Sequence, residues 1–144
     1  MRILLVLSLA LCLKAGDRED ILAVVQTTFD GMASADAAKV KATMTPEARV
    51  LLMAGEQVLM NATAEEFATR VTTRKEGVKI EEKIYAPKVD ISAGIASVWA
   101  EYDFFSNGAV NHCGIDAFLL QKTAAGWKIF SIASTVEKQG CPAR

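Results

Sequence analysis

The dipeptide Asn107-Gly108 lies between two long extended runs, Ile95 to Phe105 and Val110 to Gln121. A turn of this kind joins two antiparallel strands through a two-residue loop, so it sets a hairpin and its register together. Ser106 is then paired with Ala109. Counting outward places Asp103 opposite His112, Glu101 opposite Gly114 and Trp99 opposite Asp116. Side chains alternate along a strand, so these residues share one face. Val98, Ala100, Tyr102 and Phe104 share the other with Cys113, Ile115, Ala117 and Leu119. A slip of one residue, or a bulge, exchanges the two faces.

The period of two begins after Gly77. Val78 and Ile80 open a strand, and Pro87 marks its end, a bulge or an edge. The turn at Thr123 to Gly126 sets Lys122 beside Trp127 and leads into a last strand, Trp127 to Val136. The first half reads differently. Ile21, Leu22, Val25, Phe29 and Met32 recur at helical spacing over residues 18 to 34, with Asp17 as a candidate cap. A short helix starts from Asp36 and carries Val40. Thr45-Pro46 is a further helix-start signal, and the run Arg49 to Met53 fits a helix or a short strand. Thr63 and Glu66 have capping-box spacing and open a helix over Phe67 and Val71. Helices followed by a four-stranded meander make an α+β domain. Both faces of the meander carry large apolar residues, which predicts a homodimer through the sheet.

The chain has 144 residues and a formal net charge of −1. Neither its charge nor any basic stripe suggests a nucleic-acid surface. Met1 to Ala15 has a basic start and an apolar run, Ile3 to Leu13, too short to span a bilayer. This is the layout of a signal peptide, so the division expected is a leader over 1–15 and one domain over 16–144. The protein is then exported to a periplasmic or extracellular space, with no stable membrane insertion once the leader is removed. Leu11 stands where a lipobox wants a small residue before Cys12. Loss of the leader leaves Cys113 and Cys141, an even pair that suggests a disulfide in an oxidising compartment, with free thiols as the alternative. Two cysteines and His112 fall short of a zinc site.

Candidate site residues are few. His112, the sole histidine, is an oriented base if Asp103 lies across from it in a cavity, and a surface pair otherwise. Asp116 lies among apolar residues and needs partners if buried, either a ligand's polar group or a neighbouring donor. Tyr102 offers a hydroxyl to a ligand, or is a core tyrosine with a wet tip. Trp99 is a ligand platform or a packing residue. Glu101 reads as a surface acid. His112, Asp103 and Asp116 are the candidate catalytic groups, and Tyr102, Asp116, His112 and Trp99 the candidate ligand contacts. No Gly-rich phosphate loop, His-Glu-x-x-His run or Gly-x-Ser-x-Gly elbow is present, and no cofactor is indicated.

The run Ala100-Glu101-Tyr102-Asp103-Phe104-Phe105-Ser106-Asn107-Gly108 resembles a signature of the nuclear transport factor 2-like superfamily. His112-Cys113-Gly114-Ile115-Asp116 through Lys122, and Gly126-Trp127-Lys128-Ile129, continue it. In particular the chain resembles the bacterial putative lumazine-binding, or SnoaL-like, group, over roughly residues 18 to 141. It implies a cone-shaped, curved antiparallel sheet wrapped around N-terminal helices, a dimer through the sheet, and a strand at Arg49 to Leu52. Related folds include isomerases, dehydratases and non-catalytic carriers, so the resemblance fixes no activity. Two roles remain: non-enzymatic binding of a small apolar or aromatic ligand, or assembly; and a small isomerase or dehydratase using a pocket carboxylate, tyrosine or histidine. A pocket in which Asp116 or Tyr102 meets a second titratable group favours the enzyme.

Overall fold

Ile21, Val25, Phe29 and Met32 form the buried stripe of α1 (Asp17–Ala33). The protein is described by a computed structural model covering residues 16–144, so the expected leader lies outside the described residues. Gly16, not Asp17, is the N-cap of α1. Asp17 instead accepts hydrogen bonds from the Trp127 indole and the Lys122 ammonium, tying the helix start to the last hairpin. The last turn of α1 has no basic residue. Arg74 serves it from elsewhere in the chain, donating to the carbonyls of Met32 and Ala33 where the helix dipole favours a cation. Asp36 caps α2 (Ala37–Ala42).

Thr45-Pro46 starts no helix. Both residues lie in β1 (Met44–Ala54), which also absorbs the ambiguous run Arg49 to Met53. Proline is tolerated because the ladder between β1 and the last strand is interrupted between Met44 and Arg49. β2 (Gln57–Thr63) follows, and the capping box of Thr63 and Glu66 opens α3 (Ala64–Thr72) as expected. The meander is β3 (Ile80–Ser92), β4 (Ile95–Ser106), β5 (Ala109–Thr123) and β6 (Gly126–Thr135). Pro87 falls at a break in the β3–β4 ladder, with β3 on the sheet edge. No helix of the described residues is long and apolar enough to cross a membrane.

The six strands form one sheet in the order β2-β1-β6-β5-β4-β3. The expected cone-shaped, wholly antiparallel sheet does not form. β1 and β6 are parallel, and the sheet is open, with β2 and β3 as separate edges. The helices are also not all N-terminal, since α3 separates β2 from β3. The parallel pair follows from that crossover: α3 returns the chain so that β3 runs the same way as β2, and three further reversals bring β6 alongside β1 in the same direction. The helices cover one face, with α1 against β3 and β6 and α3 against β1 and β2. Phe29 meets Phe118 edge to face between them, with centroids 6.1 Å apart.

The Asn107-Gly108 turn pairs Ser106 with Ala109, and Phe105 with Val110. Phe104 then pairs with His112, leaving Asn111 as an extra residue in β5. Beyond it the simple register is wrong by one. Asp103 pairs with Cys113, Glu101 with Ile115 and Trp99 with Ala117, in place of His112, Gly114 and Asp116. A second bulge leaves Phe130 extra in β6, as Leu120 pairs with Ile129 and Leu119 with Ser131. The two bulges put Tyr102, Asp116, Phe118, Ile132 and Ser134 on the helix-covered face. Trp99, Glu101, Asp103, Cys113 and Leu119 lie on the outer face.

The Cys113–Cys141 disulfide is present, with Cα atoms 5.7 Å apart, and Cys113 pairs with Glu137 just beyond β6. It holds the C-terminal segment across the outer face. There Arg144 donates to Glu101 at 2.6 Å and lies 3.3 Å from Asp103. The bridge spans a sequence separation of 28, so Cys141→Ser should cost about 2–4 kcal/mol, mainly by freeing the unfolded chain. Urea denaturation of oxidised wild type against the variant measures this. A loss under 1 kcal/mol would mean that the closed loop constrains little.

Candidate functional site

A cavity of about 350 Å³ lies between the helices and the inner face of the sheet. Phe29, Val50, Met60, Phe67, Phe118 and Ile132 supply much of its apolar wall. Two carboxyl groups also line it, Asp116 from β5 and Glu82 from β3.

Asp116 is 1% exposed. Its Oδ1 accepts a hydrogen bond from the Ser134 hydroxyl at 2.6 Å, because Asp116 and Ser134 are paired across β5 and β6. Glu82 apart, no donor reaches its Oδ2. Burial pushes the Asp116 carboxyl up to about 6, against a lowering by Ser134 and by a hydrogen bond with Glu82. Burial also raises Glu82 well above the usual carboxylate range, and the charge and hydrogen bond of Asp116 add to it. Both carboxyls are thus shifted upward, and the pair shares a proton where two free carboxylates would hold none. Like charges held together in a low dielectric do not both ionise.

His112 lines the same cavity. Its ring stacks on Phe104 with centroids 4.7 Å apart and meets Tyr102 edge to face. Its Nδ1 lies 2.9 Å from the side-chain oxygen of Asn111. That oxygen only accepts, so Nδ1 carries the proton and Nε2 is left as the acceptor. Burial, with Lys138 second, lowers the His112 pKa and keeps the ring neutral near pH 7. Tyr102 presents its ring to the cavity, but its hydroxyl donates to the Thr135 carbonyl at 2.7 Å. Gly114, opposite Tyr102, lets β6 come close: a Cβ there would lie 2.2 Å from that same carbonyl oxygen.

The other candidates lie elsewhere. Asp103 is buried on the outer face beside Arg144 and Tyr85, so it does not orient His112. Trp99 is 56% exposed on that face and lines none of the cavity wall. Glu101 is exposed and binds Arg144. The structure therefore brings together Tyr102, His112 and Asp116, and adds Glu82. The sequence did carry a signal for Glu82. It alternates with Ile80 and Ile84 in β3, so it shares their inward face. Among the described residues no three His, Cys, Asp or Glu side chains form a metal-binding group.

The profile of the putative lumazine-binding family matches residues 16–133. The chain belongs to that family. No curated protein sequence matches it significantly. Solved structures agree on the fold. An NTF2-like protein with a cystatin-like fold from Novosphingobium aromaticivorans is 13% identical, covers 86% of this chain and 84% of its own, and has a TM-score of 0.71. A protein from Streptomyces avermitilis described as a putative dehydratase of the NTF2-like family is 16% identical, covers 84% and 96%, and scores 0.69. An NTF2-like protein from Cytophaga hutchinsonii is 10% identical, covers 85% and 100%, and scores 0.71. At such identities the likeness places this member of the putative lumazine-binding family in the NTF2-like fold, and does not extend to activity.

The carboxyl pair gives a signed pH effect. The Asp116 carboxyl goes from a usual 3.8 to about 6 on folding, so the folded state holds its proton to higher pH. Stability is then fully present below pH 3.8 and is lost as pH rises through about 6. Glu82 acts in the same direction. Asp116→Asn keeps an acceptor for Ser134 and removes the charge. It should stabilise the protein at pH 7.5 by about 1–3 kcal/mol and flatten the rise in stability between pH 7.5 and 5. Denaturant titrations at the two pH values check both; destabilisation at pH 7.5 would show that the buried charge is compensated.

Proposed function

We propose that this protein binds a small, mainly apolar molecule in the cavity between its helices and sheet, with the ligand's polar group against Asp116. The observation that carries this is a fully buried carboxylate held only by Ser134 and Glu82, with no lysine or arginine paired to it, at the wall of a mainly apolar cavity. A buried carboxylate without a counter-ion is costly, and a ligand's polar group offsets that cost. A cavity with an apolar wall and a few convergent polar groups is the usual form of a small-molecule site. The family's description makes lumazine one probe to try. Thermal-shift screening of lumazine and of one- and two-ring aromatic compounds should find ligands that raise the melting temperature. Ile132→Phe, which fills the cavity, should abolish those shifts; shifts that survive it would place binding elsewhere.

A second reading is proton-transfer catalysis, and the Glu82–Asp116 pair favours it. Two carboxyls whose environments keep one protonated and one ionised supply an acid and a base side by side. Asp116 would take a proton from carbon next to a carbonyl, and Glu82 would donate to the carbonyl oxygen. Deuterium incorporation from D2O into a bound cyclic ketone, lost in both Asp116→Asn and Glu82→Gln, tests this. No exchange above the buffer rate in the wild type would leave the protein a binder.

Export and dimerisation belong to the same proposal. The apolar leader and the disulfide Cys113–Cys141 both suit an oxidising, exported setting. Trp99 and Leu119 are exposed on the outer face of the sheet, where a second copy would bury them. Sedimentation should give a dimer that Leu119→Asp dissociates; a wild-type monomer at high micromolar concentration would remove the homodimer.

A further inference from the structure

We infer that the cavity, in the ligand-binding role proposed above, selects a cationic ligand: a one- or two-ring amine whose ammonium sits against Asp116 and Glu82. Three features on the inner face point this way. The first is the balance of charge. Asp116 is 1% exposed, and Glu82 apart, its Oδ2 receives no donor and no cation. The groups that act on the two carboxyls are burial, each other and Ser134; no arginine or lysine is among them. Arg74 lines the cavity, but its guanidinium is spent on the carbonyls of Met32, Ala33, Val71 and Val78. Arg70 lines it from the exposed surface of α3. A buried carboxylate without a counter-ion is costly, and a cationic ligand supplies one.

The second feature is the neutral histidine. His112 cannot serve as that counter-ion, because burial lowers its pKa and its Nδ1 proton is held by Asn111. What it offers is the acceptor Nε2, which suits a ligand N–H. The third feature is aromatic. The His112 ring contacts both Tyr102 and Phe104 at the cavity wall, and aromatic faces attract ammonium groups. An anionic ligand would meet a carboxylate in an apolar enclosure. A neutral one would leave the charge uncompensated.

The test compares three probes on one ring system with the full-length chain at pH 7.5: 1-naphthylmethylamine, 1-naphthalenemethanol and 1-naphthoic acid, by isothermal titration calorimetry. The amine should bind at least about tenfold more tightly than the alcohol, and the acid at least about tenfold more weakly. In Asp116→Asn the gap between amine and alcohol should shrink to within about threefold. The alcohol should still bind Asp116→Asn within about threefold of its wild-type affinity, which separates loss of charge from general damage to the site. Equal affinities for amine and alcohol in the wild type, or a gap that survives Asp116→Asn, would overturn the charge selection. If the alcohol binds and Ile132→Phe blocks it while no gap is seen, the cavity remains a ligand site and only the cation preference falls. If none of the three binds, this inference falls together with the choice of aromatic ligands.

Discussion

One unpaired residue in the longest strand decides which chemistry faces inward. Without Asn111 as a bulge, the hairpin at Asn107-Gly108 would set His112 and Asp116 on the outer face with Trp99. With it, both lie on the helix-covered face beside Tyr102, and Cys113 moves outward to meet Cys141. The bulge also supplies a part of the site, since the Asn111 side chain fixes the His112 tautomer. A local backbone irregularity thus sets the register of the sheet, the location of the disulfide and the polar wall of the cavity. Bulges re-aim side chains in this way because the strand period is two, and one extra residue inverts everything beyond it.

The inner face then carries a conflict between folding and function. Phe29, Phe67, Phe118 and Ile132 make a surface suited to an ordinary core. Asp116 and Glu82 interrupt it with a net negative charge that burial resists. Ser134 offsets part of the cost at one oxygen, and the hydrogen bond with Glu82 offsets a further part. An apolar pair at these positions would pack and fold more easily. Retaining acids here is the pattern expected where stability is given up for recognition or chemistry.

Local signals in the chain were legible, and non-local ones were not. The stripe of α1, the Asp36 cap, the capping box at Thr63 and the two hairpin turns each depend on residues a few positions apart, and each stands in the structure. Thr45-Pro46 misled because proline at a helix start and proline at a ladder break look alike in sequence. The parallel pairing of β1 with β6 depends on where α3 returns the chain, which no periodicity records. Of the site, Asp116, Tyr102 and His112 were identifiable by type, and His112 and Asp116 as sharing a face; that Tyr102 joins them was not, because nothing in Val110-Asn111-His112 announces a bulge. Glu82 was hidden by its neighbour: Glu81-Glu82 reads as a solvated pair until the alternation of Ile80 and Ile84 is used to separate them.

The outer face shows the same physics resolved in the opposite way. Asp103 is as deeply buried as Asp116, yet it has a cation within 3.3 Å. Arg144 reaches it because the disulfide anchors the segment that bears it, and the guanidinium lies 4.0 Å from the Tyr85 ring centroid. Two aspartates on neighbouring central strands therefore differ in one respect that matters. The chain provides a counter-ion for the one under the C-terminal segment and none for the one in the cavity. Burial alone would treat them alike. The difference lies in what stands opposite each carboxylate: a covalently held arginine in one case, and a ligand-sized space in the other.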